Sequence, residues 1–238
     1  PGNGDFGAVS NQLHVPTLSP AALGYGWDMQ APDSDFEFER RFFVRSLPSA
    51  LLEDVTPDLI VQTYFLAAEG YAIRVRLQAN QIDVPVPAEI RGKDAVAQFA
   101  SKFDLAMLAV KGPYIGGTRY EAERELDVSV ATQLCLLGGE TLAKLRFGVW
   151  LGQDGWVIDA FLGPNRPLII TECERTGPVV NLEIPSFCVE EVTGDHRFSN
   201  DSLAGAPYAQ WANTYLQELA MNPPRFDHSF GINRAAAE

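Results

Sequence analysis

Phe36-Glu37-Phe38-Glu39-Arg40-Arg41-Phe42-Phe43-Val44 opens with strict apolar/charged alternation, which predicts a strand with Glu37, Glu39 and Arg41 on one face. The pattern returns along the chain. Arg74 and Arg76 oppose Ile73, Val75 and Leu77, while Arg119, Glu121, Glu123 and Glu125 oppose Tyr120 and Ala122. Lys144 and Arg146 oppose Leu145, Phe147 and Val149, and Glu172 and Glu174 flank Cys173. An ordinary amphipathic strand has a solvated face of mixed polar residues. Here the charged pairs are sorted by sign, although like charges on one strand face repel, and the opposite faces are strongly apolar. Such a pattern points to a barrel turned inside out, with a charged lumen and an apolar exterior wrapped by helices.

Further elements follow from spacing and turn residues. Ile60–Leu66 and Tyr71–Leu77 form an expected hairpin through Ala67-Ala68-Glu69-Gly70, and Leu105–Lys111, Thr118–Asp127, Leu142–Trp150, Trp156–Phe161 and Leu168–Glu174 are further strands. Asp154-Gly155 signals a tight turn. Short helices are predicted over 48–55, 93–103 and 128–137, and a last one from Pro207 with Tyr208, Trp211, Tyr215 and Leu219 on one stripe. Residues 79–92 read as a loop and, with the helix after them, as part of a rim or lid. The fold class is therefore α+β, an eight-stranded antiparallel barrel with helices packed outside. Residues 1–34 read as a flexible leader, 35–222 as the domain and 223–238 as a flexible tail.

Composition narrows the function classes. The 238 residues are 46% hydrophobic, enough to bury a core, and carry 31 acidic against 18 basic side chains for a net charge of −13. That balance excludes nonspecific binding of long nucleic acids and docking on anionic membranes. No apolar run reaches the ~20 residues of a spanning helix, and the start lacks a signal-peptide pattern. Three widely spaced cysteines, Cys135, Cys173 and Cys188, suggest neither a disulfide framework nor a zinc site, so a cytoplasmic setting is expected. Only three histidines are present, and no phosphate-binding glycine loop or HExxH occurs. Any catalysis must rest on carboxylates, metal ions and Arg or Lys. A lumen of carboxylate pairs and cationic pairs suits a polyphosphate with its metals: the carboxylates bind hard cations such as Mg²⁺ or Mn²⁺, and the Arg and Lys side chains grip phosphate oxygens. Cys173 reads as a packed thiol, His196 as a surface group, and Trp150, Trp156 and Trp211 as packing residues.

These motifs closely resemble the CYTH family, the triphosphate tunnel metalloenzymes, whose N-terminal ExExK is matched by Glu37-Phe38-Glu39-Arg40-Arg41. Later signatures follow in order: Gln62 and Tyr64 before Arg74-Val75-Arg76, Val110-Lys111-Gly112-Pro113, Arg119-Tyr120-Glu121-Ala122-Glu123, Lys144-Leu145-Arg146, Trp156-Val157-Ile158-Asp159, Glu172-Cys173-Glu174, and Glu191-Val192-Thr193-Gly194-Asp195 with Arg197 and Asn200. The resemblance implies a triphosphate tunnel. Glu37, Glu39, Glu121, Glu123, Glu172 and Glu174 would be metal ligands, and Glu37, Glu39 and Arg41 the catalytic set. Arg74, Arg76, Lys111, Arg119, Lys144 and Arg146 would bind the triphosphate. With Asp159, Glu191 and Arg197 added, the lumen has equal numbers of acids and bases, leaving the −13 to the exterior. The implied activity is metal-dependent hydrolysis of tripolyphosphate, thiamine triphosphate or a nucleoside triphosphate. A class IV-type adenylyl cyclase and a non-catalytic polyphosphate- or nucleotide-binding module are the alternatives. The implied partner is a small triphosphate or nucleotide, with the chain a monomer or homodimer. Arg41 departs from the family's Lys, and a guanidinium is larger, planar and unable to give up its proton.

Overall fold

Every sign-sorted segment becomes a strand of one sheet. The computed structural model describes residues 36–115, 118–175 and 177–223. The expected leader and all but the first residue of the expected tail lie outside the described residues. The strands are β1 (Phe36–Val44), β2 (Asp58–Ala68), β3 (Tyr71–Ala79), β4 (Leu105–Ile115), β5 (Thr118–Glu125), β6 (Glu140–Leu151), β7 (Asp154–Phe161), β8 (Ile169–Arg175) and β9 (Cys188–Glu191). The helices are α1 (Ser49–Leu52), α2 (Gly92–Gln98), α3 (Val128–Leu137), α4 (Asn200–Gly205) and α5 (Ala212–Met221).

The strand order is β5-β4-β3-β2-β6-β7-β8-β1-β9, and β1 also pairs with β5. That last pairing, Phe36 with Tyr120 and Glu37 with Arg119, closes eight antiparallel strands into a ring. The free edge of β1 is then shared: β5 takes its first residues, and β9 takes Phe42, Phe43 and Val44. The ninth strand is an addition to the expected eight. Its four residues, Cys-Val-Glu-Glu, are too short to show a period of two.

The outer face is apolar and largely covered, as an inside-out barrel requires. Leu59 and Val61 of β2, Val75 and Leu77 of β3, Ala106 of β4 and Ala143 of β6 bury against α2 and α3. Ile82, Ile90, Val96, Phe99 and Phe103 belong to the same cluster. Residues 79–103 are therefore wall covering, not the rim or lid their loop composition suggested. Gly92 lies so close to β6 that a Cβ there would meet Thr141 main-chain atoms at 2.7 Å, which only glycine permits. On the opposite wall Phe42, Trp156, Ile158 and Cys173 pack with Leu52, Leu182 and Cys188. Cys173 is a buried core thiol as expected, and Trp156 fills the core, but Trp150 is 60% exposed.

The C-terminal segment departs most from expectation. Residues Tyr208–Gln210 make only a 3₁₀ turn, and the helix expected from Pro207 begins at Ala212. Before it, α4 is a short helix capped by Ser199, whose side chain accepts from the Ser202 N–H. Phe198, Leu203, Tyr208, Tyr215 and Leu219 pack in one cluster with Phe43, Tyr64, Ala72, Leu142, Phe161 and Ile170. Those last six share the lumen-facing side of their strands with the charged residues. One end of the barrel is therefore floored by an apolar layer and stoppered by the C-terminal helices.

Candidate active site

Strand register arranges the lumen above this floor. Arg41 stands opposite Glu172, and Glu39 opposite Glu174, across β1 and β8. Lys144 faces Ile60 and Phe161, and Arg146 faces Asp58 and Asp159, across β6 and its neighbours. Lys111 is opposite Glu121, and Ala109, the register partner of Arg74, is also opposite Glu123. Register thus sets acid against base at Arg41 and Glu172, Arg146 and Asp159, and Lys111 and Glu121, while Glu39 meets Glu174.

The ion pairs follow. The Arg41 guanidinium bridges Glu39 and Glu172, the latter at 3.1 Å. Arg74 Nη2 donates to Glu123 Oε1 at 2.8 Å and reaches Glu121 at 3.3 Å, while Arg76 Nη2 donates to Glu123 Oε2 at 3.3 Å. The Lys111 ammonium donates to Glu121. Asp159 is the hub of the buried end: Arg146 donates to both its oxygens at 2.7 Å, and Lys144 Nζ donates to Oδ2 at 2.6 Å. Arg146 also reaches Glu172 at 3.2 Å, and Lys144 has a second acceptor in Asn200 Oδ1 at 3.2 Å. Gln62 is buried beside Tyr64, whose hydroxyl donates to it at 3.3 Å.

Burial sets the proton affinities. Lys144 is completely buried, and loss of hydration pushes its pKa down to about 8 despite the opposing pull of Asp159. Asp159 is shared with Arg146, so its attraction only partly offsets that cost. Desolvation works against the Asp159 carboxylate too, but Arg146 and Lys144 outweigh it and hold it well below the ordinary carboxylate range. Glu123 is likewise lowered, its desolvation overcome by Arg76 and Arg74. Arg76 is lowered by burial, and its Nε is buried with no hydrogen-bond partner, a donor left over for an anion.

Not every expected member reaches the lumen. Glu191 lies on β9, where Arg40 grips it with Nε at 2.9 Å and Nη2 at 2.6 Å. Arg40 neighbours Arg41 but points to the other face, so Glu191 belongs to the outer wall. Arg197 is also outside: Asp195 and Glu218 hold it over the rings of Trp211 and Tyr215. Arg119 donates to the main-chain carbonyls of Gly112 at 2.8 Å and Gly70 at 3.2 Å, which pins the hairpin ends at the stoppered rim. Glu37 occupies its expected place on β1, opposite Arg119. His196 is exposed, as expected.

Over 107 residues the chain is 35% identical to an inorganic triphosphatase of Acetivibrio thermocellus, a match covering 44% of this chain and 69% of that one. The chain belongs to the CYTH family. No protein-family model matches it. Among solved structures, an inorganic triphosphatase shares 22% identity at a TM-score of 0.45, covering 71% of this chain and 93% of the other. A Hippeastrum protein named for adenylyl cyclase, with dominant triphosphatase activity, shares 17% at a TM-score of 0.38, covering 59% and 80%. Overlaps this loose add nothing further about this CYTH chain.

Whether a CYTH divalent cation suits these residues can be judged from the donor set. Among the described residues no three acid, histidine or cysteine side chains converge as a ready coordination sphere. Glu39 and Glu174, however, are direct cross-strand partners, which sets two carboxylates side by side on the lumen face. Carboxylate oxygens are the donors that hard divalent ions prefer. The residues fit such an ion.

Proposed function

We propose that this chain is a divalent-metal-dependent hydrolase of a linear triphosphate, with Mg²⁺ or Mn²⁺ as the metal. The observation that carries it is the lumen's charge lattice: buried bases paired with acids that run from buried Asp159 to exposed Glu123, with Glu39 beside Glu174. Breaking one member out of a buried pair costs about 3–5 kcal/mol. A ligand carrying both signs, phosphate oxygens with divalent cations, replaces the partners of bases and acids together and leaves no charge bare.

In this mechanism Arg74, Arg76, Lys111, Lys144 and Arg146 exchange carboxylate partners for phosphate oxygens and hold the chain straight along the lumen. Arg76 offers its unpartnered Nε. Glu39 and Glu174 would hold the cation, with Glu37, Glu172, Glu121 and Glu123 as further oxygen donors. When bound, the cation offsets charge on the phosphate chain and acidifies a water for attack on phosphorus. Arg41, between Glu39 and Glu172, orients the two acids nearest the reacting phosphate. The fixed cations stabilise charge that develops on the phosphoryl oxygens, most of what phosphoryl transfer asks of a protein. The apolar floor keeps bulk water out of one end.

The proposed partner is a small triphosphate, not a long nucleic acid or a membrane. No helix of the described residues is long and apolar enough to cross a bilayer. A reducing, cytoplasmic setting is proposed too, supported by three buried free cysteines.

The test is phosphate release from tripolyphosphate, thiamine triphosphate, ATP and GTP, each with Mg²⁺ or Mn²⁺, with chromatography of the ATP products. Metal-dependent release of phosphate supports hydrolysis; cyclic AMP with pyrophosphate would move the chain to the cyclases. The fixed Arg41 favours one second reading, a binding module. Thermal stabilisation by tripolyphosphate without turnover, unrestored in Arg41→Lys, would establish that module instead.

A further inference from the structure

Among the described residues the covered exterior leaves a gap. Leu66 of β2 is the register partner of Ile73 of β3, Ile73 of Val110 of β4, and Val110 of Ala122 of β5. At a strand spacing of about 4.8 Å these four residues make a continuous row about 14 Å across the outer wall. Three of them are open to solvent: Leu66 at 43%, Ile73 at 38% and Val110 at 44%. Tyr71 and Tyr120, two residues along on the same faces, are 53% and 43% exposed. No charged residue interrupts the row, although the chain carries −13.

A bulge completes it. The β2–β3 register shifts between Tyr64 and Leu66. Without the extra residue Leu66 would share the lumen face of Tyr64; the bulge turns it outward and leaves Phe65 exposed as well, at 42%. Beside the row, α3 presents Val130, Leu134 and Leu137 at i, i+4 and i+7, exposed at 54%, 38% and 83%. The helix runs into Gly138-Gly139, and Gly139 abuts Thr63 and Tyr64, next in the chain to Phe65.

We propose that this face, the row from Leu66 to Ala122 with Phe65, Tyr71, Tyr120 and the α3 stripe, is a self-association surface that packs against the same face of a second copy about a two-fold axis. The area is the argument for that occupant. The sheet residues expose roughly 500 Å² and the helix stripe adds roughly 300 Å², beyond the few hundred Å² usual for a monomer and equal to the about 800 Å² per partner of a standard interface. The closed ring offers no free edge here, so a partner adds by its face, and a second chain brings an equally apolar one. An uncharged row gives a basic partner nothing to pair with.

Sedimentation velocity and light scattering on the full chain test this. The expected result is a concentration-dependent species of twice the 26.1 kDa chain, strengthened by added sulfate because salt screens the −13 repulsion and favours apolar burial. Ile73→Glu and Val110→Glu should each raise the dimer dissociation constant at least about a hundredfold with an unchanged circular dichroism spectrum. Tyr71→Ser, a milder change, should raise it about tenfold and serves where the Glu variants do not fold. A chain that stays monomeric at its highest attainable concentration overturns the proposal, and so does a dimer that survives all three substitutions. A monomer whose Ile73→Glu variant loses heat stability would show the face covered by the chain's own residues, and overturns it equally.

Discussion

Glu39 and Glu174 stand directly opposite one another across β1 and β8, whereas the next lumen pair toward the floor, Arg41 and Glu172, is of opposite sign and joined at 3.1 Å. Like charges at adjacent cross-strand positions cost free energy, and sequences place them together where something brings opposing charge. Mg²⁺ or Mn²⁺ should therefore raise the unfolding temperature of the unmodified chain. In Glu174→Gln that gain should vanish, and triphosphate turnover should fall at least about a hundredfold, about 2.7 kcal/mol in the barrier. The metal-free unfolding temperature of each chain is the baseline for that gain. Differential scanning calorimetry with and without metal reads both quantities; an unchanged metal response in Glu174→Gln would remove this pair from the site.

The buried lysine gives a pH limit. In the proposed function the Lys144 ammonium would hold phosphate, and burial has moved its pKa from 10.5 down to about 8. Tripolyphosphate binding should weaken as pH rises through about 8, well before an exposed lysine would lose its proton. Above that pH, binding should take up a proton, seen in titration calorimetry as an enthalpy that changes with the buffer's ionisation heat. In Lys144→Met the weakening near pH 8 should disappear and overall affinity should be lower.

Asp159 bears on stability. Its folded pKa is depressed to about 2 from 3.8, so the stability it contributes is present above 3.8 and is lost as pH falls through about 2. Asp159→Asn strips the carboxylate from Lys144 and Arg146 at once. The expected cost at pH 7 is about 3–5 kcal/mol in urea unfolding, the usual penalty for a buried charge without its partner. A cost below about 1 kcal/mol would mean that water or another acid takes over the pairing.

The faces of the strands were legible because alternation survives wherever a strand separates a charged lumen from an apolar wall. Residues 36–44, 71–77 and 118–125 each show it without help from the rest of the chain. The floor carried a signal too. Phe43 follows Arg41 by two, Leu142 precedes Lys144 by two, Phe161 follows Asp159 by two, and Ile170 precedes Glu172 by two. At one end of every such strand the lumen face turns apolar, yet without register nothing says these ends coincide. Glu191 and Arg197 were misplaced for a related reason. Each belongs to a segment too short for periodicity, and adjacent positions on a strand point to opposite sides, so Arg40 draws Glu191 to the outer wall while Arg41 serves the lumen. The β2 bulge was equally invisible, since it exists only relative to β3.

The stopper reaches a lumen cation through Asn200, whose Oδ1 lies 3.2 Å from Lys144 Nζ, and that contact can be tuned in both directions. Asn200 supplies a neutral acceptor to an ammonium that already suffers from burial. Replacing it by leucine removes the acceptor and adds apolar bulk, so the charged form loses support and its pKa falls further. Replacing it by aspartate adds a full negative charge at hydrogen-bond distance, so the pKa rises. The pH at which tripolyphosphate binding weakens should accordingly move below about 8 in Asn200→Leu and above it in Asn200→Asp, although Asp also repels phosphate and lowers affinity throughout. A purely structural role for Asn200 would lower stability in both variants and leave the limit where it was. Opposite displacements of the limit, read from affinity against pH, require that α4 act on the lumen through Lys144.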